Sequence, residues 1–423
     1  MLELNTIRSK PDWVKSRLAV KHFQPLSLVD TIIELDAQRR ATQVEVEKSL
    51  NRTKTISKSI GALYKQGKRD EAGQMKAESS QLKVSIKQLQ DKLHTLATDL
   101  HNALVQLPNL PHESVPEGKT PEDNKVVNEY GDLPTLPEGA KPHWELMEDY
   151  NLVSLKLGVK LTGAGFPVFK GKGARLERAM INFFLDEAEK AGYEEFIPPL
   201  MVNSESAFAT GQLPDKEGQM YHVTADGFYL IPTAEVPLTN LYRDEIVKEA
   251  DFPIKLVGFT PCFRREAGSY GAHVRGLNRV HQFDKVEIVQ ITHPDESYKT
   301  LDKMVNHVSG LLQKLGLPYR ILALCGGDAT FASALTYDFE TYSAAQKRWL
   351  EVSSVSNFET FQSTRLKLRF RDKETKKKRL AHTLNGSALA LPRIMATLLE
   401  NNQTPEGIII PEVLRPYTGF DKI

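Results

Sequence analysis

The stretch FRREAGSYGAHVRGLNRVHQFDKVE, residues 263–287, decides the fold class: two strand-like runs flank a loop that carries three glycines. Residues two apart on a strand share a face. Arg264 and Glu266 therefore point one way on the first strand, while Arg279, His281, Phe283, Lys285 and Glu287 point together on the second. If both sets line one surface, it offers guanidinium forks for phosphate or carboxylate, a flat ring for a stacked base and carboxylates for an amine. On spacing alone, a surface hairpin laced with ion pairs accounts for the same residues.

Further strand-like runs lie at 195–197, 227–231, 254–264, 282–291, 319–323, 335–341, 349–356 and 366–370, and helices are predicted over 174–192, 234–248, 294–315 and 387–401. Strands follow one another instead of alternating with helices, which predicts an α+β fold on an antiparallel sheet. Neither GxxxxGK[ST] nor a GxGxxG after a strand occurs. A nucleotide, if bound, is held without those phosphate-cradling loops.

Toward the N-terminus, Leu82, Ile86, Leu89, Leu93, Leu96 and Leu100 step by fours and threes, the seam of a coiled coil. Leu28, Ile32, Leu35, Val46, Leu50, Ile60 and Leu63 follow it less strictly, and Gly61, Gly67 and Gly73 lie between the two runs. This predicts an antiparallel two-helix arm over about 28–105, its tip near Gly67 and each helix roughly 55 Å long. A short helix near 10–19 precedes it. Seven prolines from Pro108 to Pro142 predict a linker over 108–145. The domains expected are thus 1–107 and 146–423.

Across 423 residues the net charge is +1, yet residues 48–92 hold eleven Lys and Arg against four Asp and Glu. A compact positive arm on a near-neutral chain suggests a polyanionic partner there, although a solvated helical face fits as well. Hydrophobic residues at 40% and charged residues at 26% exclude disordered and collagen-like classes. No apolar run reaches the ~18 residues of a membrane span, and the opening MLELNTIRSK lacks the pattern of a secretory signal. Two cysteines, Cys262 and Cys325, read as buried small residues in a reducing compartment, so a cytoplasmic protein is expected. His273, His281 and His382 lack metal-ligand spacing, and no structural zinc is expected. The basic run 373–379 reads as a hairpin tip rather than a nuclear-targeting patch.

These residues resemble a known family. Phe263-Arg-x-Glu266, the loop, and Arg279-x-x-x-Phe283-x-x-x-Glu287 are similar to motif 2 of the class II aminoacyl-tRNA synthetases. Asn385-Gly386-Ser387, followed by Pro392-Arg393 and a helix, resembles motif 3. The helix ending at Gly192, with Pro198-Pro199 beyond it, resembles motif 1, the dimer-interface motif. Pro232-Thr233-Ala234-Glu235, the run HQFDKVE and Glu351-Val352-Ser353-Ser354-Val355-Ser356-Asn357 narrow the resemblance to the seryl-tRNA synthetases of bacterial type, which carry a long tRNA-binding coiled coil at the N-terminus. It spans essentially the whole chain, in order.

The resemblance implies a ligase that activates L-serine with ATP to seryl-adenylate and pyrophosphate, then esterifies the 3′ end of tRNA(Ser), with tRNA(Sec) a further candidate. It assigns catalysis to Arg264 and Arg393, and L-serine binding to Thr233, Ala234, Glu235, Glu287 and Ser387. ATP would be bound by Arg264, Arg265, Glu266, Phe283, Glu351, Val352, Ser353, Ser354 and Arg393, with Phe283 as the adenine platform facing Arg393. Glu351 and Ser354 would hold Mg²⁺ with the ATP. Arg52, Lys54, Lys58, Lys65, Lys83 and Lys87 would touch phosphates of the long variable arm of the tRNA. A homodimer through motif 1 and no membrane contact follow. A catalytically inactive synthetase-derived RNA-binding protein and a ligase that loads a carrier protein are the competing readings. The chain departs from the family pattern at Ala388 and Pro392, where glycines are usual, and at Leu335, where lysine is common.

Overall fold

A computed structural model describes residues 1–266, 271 and 274–423. The chain forms two compact units, Met1–Ala19 with Phe23–Pro108 and Val20–His22 with Asn109–Ile423.

In the first unit, α1 (Leu28–Lys65) and α2 (Arg69–Val105) pack along their length and reverse at Gly67, whose φ of 78° is open to glycine at no steric cost. The seam is apolar at Ile32, Val46, Ile56, Ile86, Leu96 and Leu100, all buried. It is interrupted by a buried Asp36, which Arg8, Arg39 and Arg40 neutralise at 3.3, 2.9 and 2.9 Å. Helices Leu4–Ser9 and Pro11–Val20 precede the arm.

The second unit is built on eight strands: β1 (Lys125–Tyr130), β2 (Glu194–Glu195), β3 (Ile254–Phe263), β4 (Gln282–Thr292), β5 (Tyr319–Ala323), β6 (Leu335–Ser343), β7 (Arg348–Glu359) and β8 (His382–Ala390). Their order in the sheet is β1-β5-β6-β7-β8-β4-β3-β2, antiparallel except for the short β2 beside β3. The helices of this unit that bear on the site are α3 (Gly171–Lys190), α4 (Glu235–Asn240), α5 (Ser297–Lys314), α6 (Phe361–Leu366) and α7 (Leu391–Asn401). Met180 and Phe184 of α3, Met304 and Leu311 of α5, and Ile394 and Leu398 of α7 share one core with Val257, Ile288, Phe339 and Val355 of the sheet. Full burial of each such side chain contributes about 1.5–3 kcal/mol. Because strand side chains alternate, the partners of these core residues point to the opposite face, where the charged residues lie.

The proline-rich stretch, expected as a linker with extended pieces, folds within the second unit, where its extended piece is β1, paired with β5. Three expectations change. The helix predicted over 234–248 stops at Asn240, and Ile246–Lys248 is a strand. The strand predicted over 366–370 begins instead as α6, with Lys367 at φ 55° turning the chain into Arg369–Arg371. The helix predicted from 387 starts at Leu391, because 387–390 continue β8; a short apolar run such as Ser-Ala-Leu-Ala fits either period. Pro392 then sits in the first helical turn, where its missing N–H has no partner to lose. Leu335 is buried in the main core. The 373–379 run does form a hairpin tip, between Arg369–Arg371 and Lys378–Leu380. No helix among the described residues is long and apolar enough to cross a membrane.

Candidate active site

Strand β4 carries the site. Val286 and Ile288 face the core, so Lys285 and Glu287 face the other way, and both are nearly buried. Buried charges persist only when paired. The Lys285 ammonium lies 2.6 Å from Glu287 Oε2 and donates to Thr233 Oγ1 at 2.9 Å. Ser387, opposite Glu287 on β8, donates its hydroxyl to the same carboxylate at 3.3 Å. Thr233 Oγ1 also accepts from the Glu235 N–H at 3.2 Å, fixing the turn into α4. Glu235 in turn accepts from Gln362 of α6 at 2.7 Å. Burial and the Glu287 charge push the Glu235 carboxyl up to about 7, against the opposing pull of Gln362, Lys285 and Arg264. Two cations, Lys285 and Arg264, thus balance two carboxyls.

Arg264 extends the ladder beyond β3, its N–H bonded to His281 O at 2.9 Å. Its Nε donates to Pro232 O at 3.4 Å, and its guanidinium lies 5.2 Å from the centroid of Phe283. The cation over that ring is thus Arg264. Glu266 has turned out of strand geometry at φ 45° and pairs with Arg279 at 3.4 Å. The N–H of Arg265 donates to Gln219 O at 2.9 Å. Arg393, in the first turn of α7, donates to Asn278 O at 2.9 Å and to Glu351 O at 2.7 Å, and lies 3.4 Å from the Glu351 carboxylate.

Glu351 and Ser354 are three apart and on a regular strand would face opposite ways. A bulge in β7 opposite Phe339/Glu340 pairs Ser354 with Asp338 and Glu351 with Glu340, which brings both onto one face. Ser354 sits opposite Asp338, whose carboxyl has its proton affinity raised well above the ordinary range by burial and then by Glu351. Asp338 Oδ1 has no hydrogen-bond partner among the described residues.

The other expected residues are placed as follows. Ala234 packs with Leu238, Leu256 and Val289, and Val352 lies in the main core, so neither offers its side chain to a ligand. Ser353 uses its hydroxyl on Ser387 O at 2.6 Å, buttressing β8. Of the arm residues, Arg52, Lys54, Lys58, Lys65, Lys83 and Lys87 are all exposed, and Arg52 also pairs with Glu78 of the facing helix at 2.6 Å. His281 bonds Tyr221 at 2.9 Å and His382 bonds Ser297 at 2.9 Å, while His273 lies outside the described residues. Cys262 and Cys325 are both buried. Three residues not assigned from the sequence join the site: Lys285, Gln362 and Asp338. Only Lys285 had a signal there, a charge in a strand otherwise apolar on both sides from Val286 to Ile291 but for Glu287 and Gln290.

The family model of the seryl-tRNA synthetase N-terminal domain matches residues 1–111, and that of the tRNA synthetase class II core domain (G, H, P, S and T) matches residues 221–402. A serine–tRNA ligase of Salinibacter ruber is 51% identical over 424 aligned positions, spanning 100% of this chain and 99% of the relative. The chain belongs to the seryl-tRNA synthetase family. Among solved structures, the seryl-tRNA synthetase of Pyrococcus horikoshii complexed with ATP superposes with a TM-score of 0.93 at 33% identity, covering 100% of this chain and 99% of that one. The cytoplasmic serine–tRNA ligase of Naegleria fowleri in complex with AMP follows at 0.88 and 27%, covering 100% and 98%. Membership of the seryl-tRNA synthetase family accounts for both halves of the chain: the long N-terminal helices and the antiparallel class II core expected from the sequence.

Proposed function

We propose that this member of the seryl-tRNA synthetase family is an active serine–tRNA ligase, and that the face of β4 and β8 is where it joins L-serine to ATP. The observation that carries the reading is the enclosed, charge-balanced cluster of Arg264, Lys285, Glu235 and Glu287, with the Ser387 hydroxyl beside it. A zwitterionic amino acid with a hydroxyl matches such a site: cations for its carboxylate, carboxylates for its ammonium, and polar groups for the hydroxyl.

No side-chain nucleophile is needed. The serine carboxylate attacks the α-phosphorus of ATP, pyrophosphate leaves, and seryl-adenylate forms; a ribose hydroxyl at the tRNA 3′ end then takes the seryl group. What the chain supplies is orientation and positive charge for the phosphoryl transition state. Arg264 reaches from the edge of the amino-acid cluster to the Phe283 ring, and so suits a position between serine and the α-phosphate. Phe283 is the stacking surface for adenine, and Arg393 is held at the Glu351 side of the site. Glu266, tied to Arg279, and Arg265 flank the ATP. Alanine lacks the hydroxyl that Glu287 and Ser387 would bond beyond their contacts with Lys285 and each other, and a site built to bond a substrate hydroxyl discriminates strongly against its absence.

Hard oxygen donors are what Mg²⁺ takes, and Glu351, Ser354 and the unpartnered Asp338 Oδ1 supply them on one face. Glu351 and Ser354 would hold the ion, and it would neutralise phosphate charge.

The exposed lysines of the arm supply the tRNA contacts, reading duplex RNA by shape and phosphate position. The motif 1 helix α3 is the surface for homodimerisation, and the cytoplasm is the compartment. The inactive RNA-binding reading is disfavoured because Arg264, Glu287, Glu351 and Arg393 are present and assembled on one face. Charging of bulk tRNA with labelled serine, ATP and Mg²⁺ tests the proposal, with tRNA(Sec) as a second acceptor. ATP-dependent esterification with serine is expected; tRNA binding without charging would favour the inactive alternative.

A further inference from the structure

Glu235 owes its orientation to a residue outside the cluster. Gln362 of α6 is only 1% exposed, and every hydrogen-bonding group of its amide is used. A peptide carbonyl can only accept, so the amide atom 3.1 Å from Thr210 O is the nitrogen. The same nitrogen donates to Glu235 Oε1 at 2.7 Å, and the amide oxygen accepts from the Thr383 hydroxyl at 2.7 Å. Thr383, Thr210 and Glu235 are themselves buried. Turning the amide over would set its oxygen against Thr210 O, two acceptors facing each other in a dry environment, where each unsatisfied group is costly. Glu235 Oε1 is therefore an obligate acceptor. Any proton on this carboxyl sits on Oε2, the oxygen that remains for a ligand.

We propose that Gln362 is a positioning residue for serine recognition, keeping Oε1 of Glu235 occupied and Oε2 available to accept from the substrate ammonium. The inference rests on the reading of Glu235 as part of the serine pocket. It carries a pH signature. Four groups face the Glu235 carboxyl: Glu287 and Lys285 from β4, Arg264 beyond β3, and Gln362 from α6. Burial and Glu287 favour the neutral carboxyl; Gln362, Lys285 and Arg264 favour the carboxylate. Removing the Gln362 donor tips the balance toward the neutral acid, which holds a proton where the ammonium must bind. Raising the pH removes that proton and restores the acceptor.

The test is Gln362→Met, which keeps length and removes the donor. The KM values for serine and ATP are measured by ATP–pyrophosphate exchange from pH 6.5 to 9. The expected result is a serine KM raised about tenfold near pH 7, as for loss of one hydrogen bond to a charged group, and returning toward wild type by pH 9, with the ATP KM unchanged. Thr383→Val, which frees the amide oxygen, is expected to give a smaller change of the same kind, and it serves as the readout if Gln362→Met does not fold. A loss in these variants that is equal at every pH, or that raises both KM values alike, marks a merely structural role and overturns the proposal. Wild-type exchange with serine that Glu235→Gln leaves untouched would overturn the pocket reading itself. Impairment by Glu235→Gln alone, with Gln362→Met and Thr383→Val like wild type throughout, would overturn only the role given to Gln362.

Discussion

Replacing Lys285 with methionine removes one buried cation and little volume. Lys285 makes two contacts in the pocket, 2.6 Å to Glu287 and 2.9 Å to Thr233. Without it, Glu235 and Glu287 face Arg264 alone, and Glu287 keeps the longer bond from Ser387 at 3.3 Å. Removing one partner of a buried ion pair costs about 3–5 kcal/mol. The low end, about 3 kcal/mol, applies because Arg264 and the Ser387 hydroxyl remain. One carboxyl of the pair can relieve this by taking up a proton, so the cost depends on pH. The sign follows from linkage: a carboxyl titrating higher in the folded than in the unfolded state destabilises as pH rises, by up to about 1.4 kcal/mol per unit. Starting from an unfolded value of about 4.3, a penalty of about 3 kcal/mol develops over roughly two units and is complete near pH 6.5. Urea unfolding followed by tryptophan fluorescence should therefore show Lys285→Met less stable than wild type by about 3 kcal/mol at pH 7.5 and by about 1 kcal/mol at pH 5. An equal loss at both pH values, or none at pH 7.5, would refute the charge-balance reasoning.

Glu177 of α3 is buried with neither oxygen partnered among the described residues, and burial, then Asp284, raises its proton affinity well above the ordinary range. Its folded pKa exceeds its unfolded one, so it costs stability as pH rises above about 4.3; Glu177→Gln should gain on wild type in urea melts between pH 6 and 8.5, and parallel pH profiles would contradict this. Phe283→Ala should raise the KM for ATP about 10–100-fold, the worth of one stacked base, with the serine KM little changed, and an unaltered ATP KM would exclude Phe283 as the platform. Lys83→Glu with Lys87→Glu, both exposed on α2, should raise the tRNA KM and flatten its salt dependence while leaving tRNA-free pyrophosphate exchange intact; an unchanged tRNA KM would remove these two lysines from the interface.

The arm was legible because its seam repeats many times, and β3 and β4 were legible as two strand-like runs on either side of a glycine-bearing loop. What escaped depended on long-range or sub-strand geometry. The shared face of Glu351 and Ser354 comes from a bulge, which a period-2 reading places on opposite faces. Gln362 lies on a six-residue helix in a stretch to which the sequence reading gave no element, and its partners Glu235 and Thr383 are 127 and 21 residues away. Ser387 was placed in a helix although it pairs with Glu287 in the sheet, because the apolar run after it has no distinguishing period. The proline-rich stretch was read by composition as a linker with extended pieces; its extended piece is an edge strand, which needs neighbours on one side only, and prolines flanking it cost the ladder nothing.

The central claim is that the Lys285–Glu287–Ser387 cluster recognises serine and activates it. Amino-acid-dependent ATP–pyrophosphate exchange without tRNA tests it most directly, comparing serine with alanine, glycine and threonine. Exchange with serine, and with alanine lower by about 10⁴-fold as for a site built to bond a hydroxyl, is the predicted result. No exchange with serine, or equal exchange with alanine, would contradict it.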